Sequence, residues 1–158
     1  MTRQPTPAAA TDIRQHEPVA MTVERFQRLF NTLSAGQVSG LAEVYSEQVQ
    51  FIDPFSTVEG LAELQTYFDK VYANVTACRF EFGDTLVSGD QACVEWTMHL
   101  QHPRLRRGRE LAVQGISRLT IADGRVLYHR DYFDAGELLY ENLPLLGSAV
   151  RLVRSFAS

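Results

Sequence analysis

The spacing of apolar residues predicts a helix early in the chain. From Thr22 onward, apolar side chains recur at intervals of three and four residues, as they do on one face of an α-helix. We take Thr22 as the cap of this helix and Gly36 as its stop. The residues of its apolar face are Phe26, Leu29, Phe30 and Leu33.

Two more helices and a short strand are expected next. Ser39 opens a short second helix, and residues 48–53 then form a strand that Pro54 ends, because proline cannot donate a ladder hydrogen bond. Gly60 introduces a third helix with a wide apolar stripe, which is typical of a helix that covers a sheet. The inward residues are Leu41, Val44 and Tyr45 in the second helix, and Leu61, Leu64, Tyr67, Phe68, Val71 and Tyr72 in the third.

Alternation with a period of two then predicts a β-meander. The runs that carry it lie near 77–87, 91–101, 110–121 and 125–133. Turn signals separate the first pair and the last pair of runs, namely Ser88-Gly89-Asp90 and Ala122-Asp123-Gly124. Helices followed by a long antiparallel meander predict an α+β fold, because a parallel sheet would need helices that alternate with strands.

The length of 158 residues predicts one core. Residues 1–18 mix Pro, Gln and Asp with few apolar residues, so we expect a disordered N-terminal tail. The domain itself should cover residues 19–134. Residues 135–158 are rich in leucine and predict a C-terminal helical extension packed on the same domain, while a partner surface or a pocket lid fits the same pattern.

Charge and cysteine content exclude several classes of protein. The net charge is −4, whereas binding of nucleic acid normally needs a basic face, so no nucleic-acid partner is expected. Cys78 and Cys93 lack the spacing of a disulfide framework or a zinc site, so we expect reduced cysteines, no metal and a cytoplasmic protein. No run is long enough to cross a membrane, and no membrane partner is expected. One basic cluster is interpreted as a solvated turn: Arg104, Arg106, Arg107 and Arg109.

Several catalytic motifs do not occur in the sequence. It holds no phosphate-cradling glycine loop, no HExxH, no GxSxG elbow and no CxxC. What remains is acid/base chemistry without metal or organic cofactor, or binding alone.

Asp53 is the first candidate for acid/base chemistry. It lies between Phe51 and Phe55, where a carboxylate would lose hydration and its pKa would rise, as suits a general base. The alternative is an Asp that only caps the turn made by Pro54. Local sequence does not decide between the two.

His129, Asp131 and Phe133 share one face of the last strand, because side chains alternate along a strand. If that face meets the helices, an imidazole and a carboxylate lie within reach of one ligand. The alternative is a pair that only holds the sheet together. On the run at 91–101, Trp96 lies on the apolar set assigned to the core, and His99 points to the opposite face, where a surface or subunit contact is expected.

These residues resemble known families. The features after Val23 that resemble ketosteroid isomerases are Gly36, Tyr45, Asp53-Pro54-Phe55 and Val58-Glu59-Gly60. The resemblance implies that Asp53 is the base that moves the substrate proton. The oxyanion donors of those isomerases fall on Leu29 and about Gly115 here.

The end of the meander resembles SnoaL-like polyketide cyclases and limonene epoxide hydrolases. The segments concerned are Ser117-Arg118, Asp123-Gly124 and His129 to Asp134. In both families an acid/base Asp stands where Asp131 stands. The hydrolases also use an Arg and an Asp at positions that are about Glu95 and Thr97 here. The chain therefore resembles the nuclear transport factor 2-like superfamily, which implies a cone-shaped, curved antiparallel sheet packed on three N-terminal helices and enclosing a pocket.

The leading hypothesis is a cofactor-independent enzyme of isomerase or cyclase type that acts on a small apolar or carbonyl-bearing ligand. Asp53 is its base, and Asp131 with His129 is the acid/base or orienting partner. The residues expected to contact the ligand are Tyr45, Phe51, Phe55, Tyr67, Gly115, Ser117 and Phe133. The alternative is a non-catalytic ligand carrier or interaction module of the same fold. A homodimer is expected, because one face of such a meander stays partly apolar.

Overall fold

The computed structural model of the chain describes residues 9–138. Its elements, in chain order, are α1 (Ala9–Phe30), α2 (Leu41–Val44), β1 (Tyr45–Ile52), β2 (Thr57–Glu59), α3 (Leu61–Tyr72), β3 (Ala77–Ser88), β4 (Gln91–Gln101), a 3-10 turn (Arg106–Gly108), β5 (Leu111–Ala122), β6 (Arg125–Phe133) and α4 (Ala135–Leu138). The predicted α+β order, with helices before the meander, is confirmed.

The strands form one curved, unclosed sheet in the order β2-β1-β6-β5-β4-β3. The four strands of the meander pair antiparallel, as predicted. β1, however, lies parallel to β6, so the sheet is mixed and not wholly antiparallel. A hairpin forces antiparallel pairing, whereas the long connection through α3 and the meander allows β1 to run parallel to β6. The short strand β2 shows no recognisable period in the sequence and was not predicted.

Helix α1 begins at Ala9, well before the predicted cap, and residues 1–8 of the predicted tail lie outside the described residues. Thr22 is fully buried inside the helix, and its hydroxyl donates to the backbone carbonyl oxygen of Gly124 at 3.1 Å. The guanidinium of Arg25 donates to the same carbonyl. Thr22 is therefore a tertiary contact between α1 and the β5–β6 turn, which a local cap rule cannot recognise.

The main core lies between the helices and one face of the sheet. The predicted apolar face of α1 is buried there, and so are most of the predicted inward residues of α3. Val71 is the exception, because it is 45% exposed. A smaller cluster lies beside the β4–β5 connection, where Leu138 of α4 packs with Leu105, Leu111 and Val113.

α4 is the first turn of the predicted C-terminal extension, and the rest of that extension, residues 139–158, lies outside the described residues. Within residues 9–138, no helix is long and apolar enough to span a bilayer.

Candidate functional site

A cavity of about 420 Å³ lies between α1, α3 and the sheet. Its volume is within the range of small-molecule sites. Most of its wall is apolar or aromatic: Phe26, Phe30, Phe51, Phe55, Tyr67, Phe68, Val71, Tyr72, Val75, Phe80, Phe82, Trp96, Met98, Leu100, Leu105, Phe133 and Leu138. The other wall residues are Asp53, Cys78, His102, Arg104, Ser117 and Asp131. Such a wall holds a ligand by burial, and a few polar groups orient it.

Asp53 follows the end of β1 and has two structural roles. Its Oδ1 accepts hydrogen bonds from the backbone N–H groups of Phe55 and Ser56, each at 2.7 Å, which makes the turn around Pro54. Its Oδ2 accepts a short hydrogen bond from the hydroxyl of Tyr67 on α3. Asp53 therefore caps the turn through Oδ1 and also lines the cavity, where its Oδ2 accepts from Tyr67.

Asp131 on β6 reaches the cavity from the sheet, and its side chain is 14% exposed. Its Oδ1 accepts a hydrogen bond from the Ser117 hydroxyl at 2.5 Å and lies 2.8 Å from Nε2 of His129. The indole N–H of Trp96 donates to Ser117 Oγ at 2.9 Å. Oδ2 makes no hydrogen bond with residues 9–138, so it is the oxygen of Asp131 that a ligand can engage.

His129 lies behind Asp131 and is fully buried. The hydroxyl of Tyr45 is 2.8 Å from its Nδ1. Burial above all, and then the charge of Asp131, raises the pKa of Tyr45 well above its ordinary value, so the phenol stays protonated and has a hydrogen to donate. When Nδ1 accepts that hydrogen bond, Nε2 carries the imidazole proton and donates a hydrogen bond to Asp131. The two partners thus favour one tautomer of the neutral ring.

Aromatic rings surround this imidazole. The ring centroids of Phe51 and Phe26 lie 4.9 and 5.2 Å from that of His129, and both rings stand nearly perpendicular to it. The ring of Tyr45 lies nearly parallel to it, at a centroid distance of 6.0 Å. Water is therefore kept from the hydrogen bonds behind Asp131, which strengthens them.

Three wall residues have raised pKa values, and for Tyr72 the main cause is burial. Burial, followed by the hydrogen bond to Asp53, raises the pKa of Tyr67, so its hydroxyl stays protonated. Burial raises the pKa of Cys78 from 9.0 to about 11, which makes it a weak nucleophile at neutral pH. Among residues 9–138, no group of three or more His, Cys, Asp or Glu side chains is placed to hold a metal ion.

The family model described as the SnoaL-like domain matches residues 26–129. The chain belongs to the SnoaL-like family. The matched region begins within α1 and ends within β6, so it includes Asp53, His129 and most of the cavity wall, while Asp131, Phe133 and Leu138 lie just beyond it. No curated protein matches the chain by sequence.

Solved structures share the fold of this SnoaL-like domain. A putative SnoaL-like polyketide cyclase from Jannaschia sp. CCS1 has 16% identity and a TM-score of 0.68, over 87% of this chain and 95% of that one. An LEH-like epoxide hydrolase from M. tuberculosis has 17% identity and a TM-score of 0.65, over 86% and 96%. A ketosteroid isomerase-like protein from Catenulispora acidiphila has 13% identity and a TM-score of 0.68, over 78% and 93%. At these identities the likeness shows the fold alone.

The SnoaL-like domain places most of the expected site residues on one cavity. Those on the wall are Asp53, Phe51, Phe55, Tyr67, Ser117, Asp131 and Phe133. His129 and Tyr45 stand behind the wall and reach the cavity only through Asp131. Gly115 is covered by Trp96, because a Cβ on Gly115 would lie 2.3 Å from the indole. Tyr45 and Gly115 were expected to contact the ligand directly, and here other side chains screen them.

Four positions that carry chemistry in the resembling families do not supply it here. Leu29 is buried in the core, and Gly115 lies under an indole. Glu95 and Thr97 line a shallow depression on the opposite face of the sheet, together with Ile116 and Tyr132, and not the cavity.

Sequence reasoning missed Trp96, His102 and Arg104 as wall residues. Trp96 was assigned to the core because it alternates with Val94, and the structure shows that the same face of β4 passes from core to cavity wall. Arg104 was grouped with its neighbours as a solvated turn. No local pattern separates it from Arg107, since the difference arises only when the loop folds over the cavity.

Proposed function

We propose that this SnoaL-like protein is a cofactor-independent enzyme of isomerase or cyclase type, which moves a proton on a small apolar or carbonyl-bearing ligand. One observation carries the proposal: Asp53 and Asp131 line the same largely apolar cavity. Neither carboxylate forms an ion pair with a Lys or Arg among residues 9–138, as a purely structural pair would. Carboxylates kept in an apolar site without a paired cation are typical of acid/base catalysis.

Asp53 is the proposed base. Oδ1 is held by the turn and Oδ2 by Tyr67, so the carboxylate is fixed in one orientation while Oδ2 keeps a lone pair for a carbon-bound proton. A proton taken from the carbon beside a ligand carbonyl is returned to another carbon, and Asp53 ends in its starting state.

Asp131 is the proposed acid/base or orienting partner. Its free Oδ2 faces the ligand, while His129 and Ser117 hold Oδ1. His129 acts as a positioning residue, because it touches Asp131 and not the cavity. Tyr45 in turn favours one tautomer of the His129 ring.

Deuterium exchange tests the proposal without knowledge of the product. Cyclic ketones and diketones are incubated with the protein in deuterium oxide, and incorporation beside the carbonyl is followed by NMR. Asp53→Asn keeps the shape of the side chain and removes the proton acceptor, so exchange should fall by about 10²–10⁴. Binding of the neutral dye N-phenylnaphthylamine should stay within about twofold of wild type, because apolar burial holds it.

Asp123→Asn is the matched control, because Asp123 lies in the β5–β6 turn at φ 52°, a conformation that Asn tolerates, and it is not on the cavity wall. Asp131→Asn separates the two roles of Asp131. Lost exchange with unchanged binding assigns acid/base work, and weakened binding of hydroxylated ketones assigns orientation. Wild-type exchange in Asp53→Asn would refute the assigned base.

A non-catalytic ligand carrier of the same fold is the second candidate, and one observation favours it. The donors beside the carboxylates are already engaged: Tyr67 donates to Asp53, Ser117 to Asp131 and Trp96 to Ser117. An enolate that forms in the cavity would lack the preorganised donors that usually contribute most to catalysis. Tight binding of ketones without any deuterium incorporation in wild type would establish the carrier.

A further inference from the structure

The loop between β4 and β5 contributes a cation to the otherwise apolar cavity wall. Arg104 lines the cavity and is exposed at its surface. Its guanidinium forms no ion pair or hydrogen bond with any residue in the described range 9–138. The two wall carboxylates do not neutralise it, since the partners of Asp53 and Asp131 are the hydroxyls, backbone groups and imidazole described above.

Anchors on both sides hold Arg104 in place. The ring Nδ1 of His102 accepts a hydrogen bond from the backbone N–H of Arg104 at 3.1 Å. The backbone N–H of Leu105 donates to the carbonyl of His102 at 3.0 Å, and the Leu105 side chain is only 7% exposed. The residue before Arg104 in this turn, Pro103, fixes its own φ. The backbone of Arg104 is thus part of a hydrogen-bonded turn.

The cation and the carboxylates lie at different levels of the sheet. β5 begins at Leu111, next to the loop, and Ser117, which holds Asp131, is six positions further along the strand. Leu105, the neighbour of Arg104, packs with Leu111 and Val113 near the start of that strand, so Arg104 lies on the loop side of the cavity. The cavity therefore has a positive end beside the loop and a negative end at Asp131 and Asp53. A bound anion is repelled by the carboxylates of Asp131 and Asp53 and is attracted by the guanidinium of Arg104.

We propose that Arg104 binds a terminal oxyanion of the ligand, so that the protein takes small apolar acids and turns their apolar end toward Asp53 and Asp131. The inference rests on the proposed function, because it assumes that the cavity is the ligand site. A guanidinium is suited to this role, since its planar fork pairs with two oxygens of one acid group. The neighbouring Arg106 and Arg107 add positive potential but do not line the cavity.

Two fluorescent dyes test this proposal. Anilinonaphthalene sulfonate and N-phenylnaphthylamine share an aromatic body and differ by one sulfonate. In the full chain, Arg104→Gln should weaken the sulfonate dye by about tenfold and leave the neutral dye within about twofold. Arg104→Lys should restore part of the affinity, since it keeps the charge and loses the fork. Added salt should weaken the sulfonate dye in wild type and have little effect in Arg104→Gln.

Arg107→Gln is the matched control, because it removes the same charge from the same loop at a position off the cavity wall. It should leave the neutral dye unchanged and weaken the sulfonate dye by no more than about twofold, because it removes only distant potential. If Arg104→Gln weakens the binding of both dyes equally, Arg104 is a wall residue that does not recognise charge. If Arg104→Gln and Arg107→Gln weaken the binding of the sulfonate dye equally, the effect comes from the overall positive potential of the loop. Either result overturns the proposal. If neither dye binds the wild-type protein, the assumption that the cavity is a ligand site is wrong. If both dyes bind and Arg104→Gln changes neither, only the role of Arg104 fails, and the deuterium-exchange test still decides the function.

Discussion

Tyr45 carries a hydroxyl into the most deeply buried part of the site, where Nδ1 of His129 is its partner. Tyr45→Phe leaves that nitrogen without a hydrogen-bond partner in a place that water does not reach. We expect a loss of about 1–3 kcal/mol in the free energy of unfolding, measured by urea denaturation. Tyr67→Phe is the control, because it also removes a phenol hydroxyl, but beside the cavity, where water can replace it. Wild-type stability in Tyr45→Phe would show that His129 does not depend on this bond.

The alkylation rate of Cys78, a single residue of the wall, reports whether the cavity is occupied. Burial raises the pKa of Cys78 to about 11, so the thiolate forms only at higher pH than in a free cysteine. In a Cys93→Ser background, alkylation by iodoacetamide should be slow at neutral pH and rise about tenfold per pH unit until the pH approaches this pKa. Bound N-phenylnaphthylamine should slow it further. A rate that levels off near pH 9 would mean that the thiol is exposed, contrary to its place in the wall.

At the scale of elements, β4 and β5 make a tight contact where Trp96 packs over Gly115, its cross-strand partner. A Cβ at Gly115 would lie 2.3 Å from the indole, so Gly115→Ala must move the ring and with it the hydrogen bond to Ser117. We expect a loss of about 1–3 kcal/mol in stability. Trp96 is the one tryptophan in the sequence, so its fluorescence spectrum reports the displacement directly.

Gly83→Ala is the control for this substitution. Gly83 is also a strand glycine, but a Cβ there would meet Glu95 at 3.4 Å, an ordinary contact. This variant should keep the wild-type spectrum and stability. Equal behaviour of the two variants would show that Trp96 is not held against Gly115.

Apart from β2, the elements were largely predictable, because they have local signatures. Period-two runs and turn residues gave β3 to β6 nearly to the residue, and the apolar stripe gave α3. What failed were features that depend on distant partners. The parallel pairing of β1 with β6, and the contact between Thr22 and Gly124, join segments far apart in sequence. No local spacing contains that information.

The site was predictable to a similar degree. Asp53 could be proposed from its Asp-Pro motif, and Asp131 from the strand face that it shares with His129. The structure adds an order that sequence does not contain: Ser117 and Asp131 are wall residues, while His129 and Tyr45 support them from behind. Arg104 shows the limit, since one arginine of four in a loop lines the cavity only because of how the chain turns at His102.

At the scale of the whole molecule, the outer face of the sheet, which faces away from the cavity, is partly apolar. Ile116 and Tyr132 are cross-strand partners there, 40% and 47% exposed. We propose that this face joins two copies of the chain into a homodimer. Ile116→Lys should shift the sedimenting species from two chains to one at micromolar concentration, because it buries a charge in the contact.

Met21→Lys is the control for the dimer. Met21 is 61% exposed on α1, which covers the opposite face of the sheet from the Ile116–Tyr132 pair, so this variant should leave two chains together. A wild-type protein that sediments as one chain would remove the dimer, and it would not affect the cavity.

The pairing of β1 with β6 cannot form until late in the synthesis of residues 1–133, because β6 begins at Arg125. After Ile52 has been added to the chain, residues 53–124 must be made before the first residue of β6 exists. At the usual speed of translation this takes roughly 4 to 14 seconds. During that time β1 lacks the strand that will lie beside it, and the apolar face of β1 remains uncovered on that side. Since Asp53 follows β1 and Asp131 lies on β6, the two carboxylates of the cavity come together only after β6 has been made.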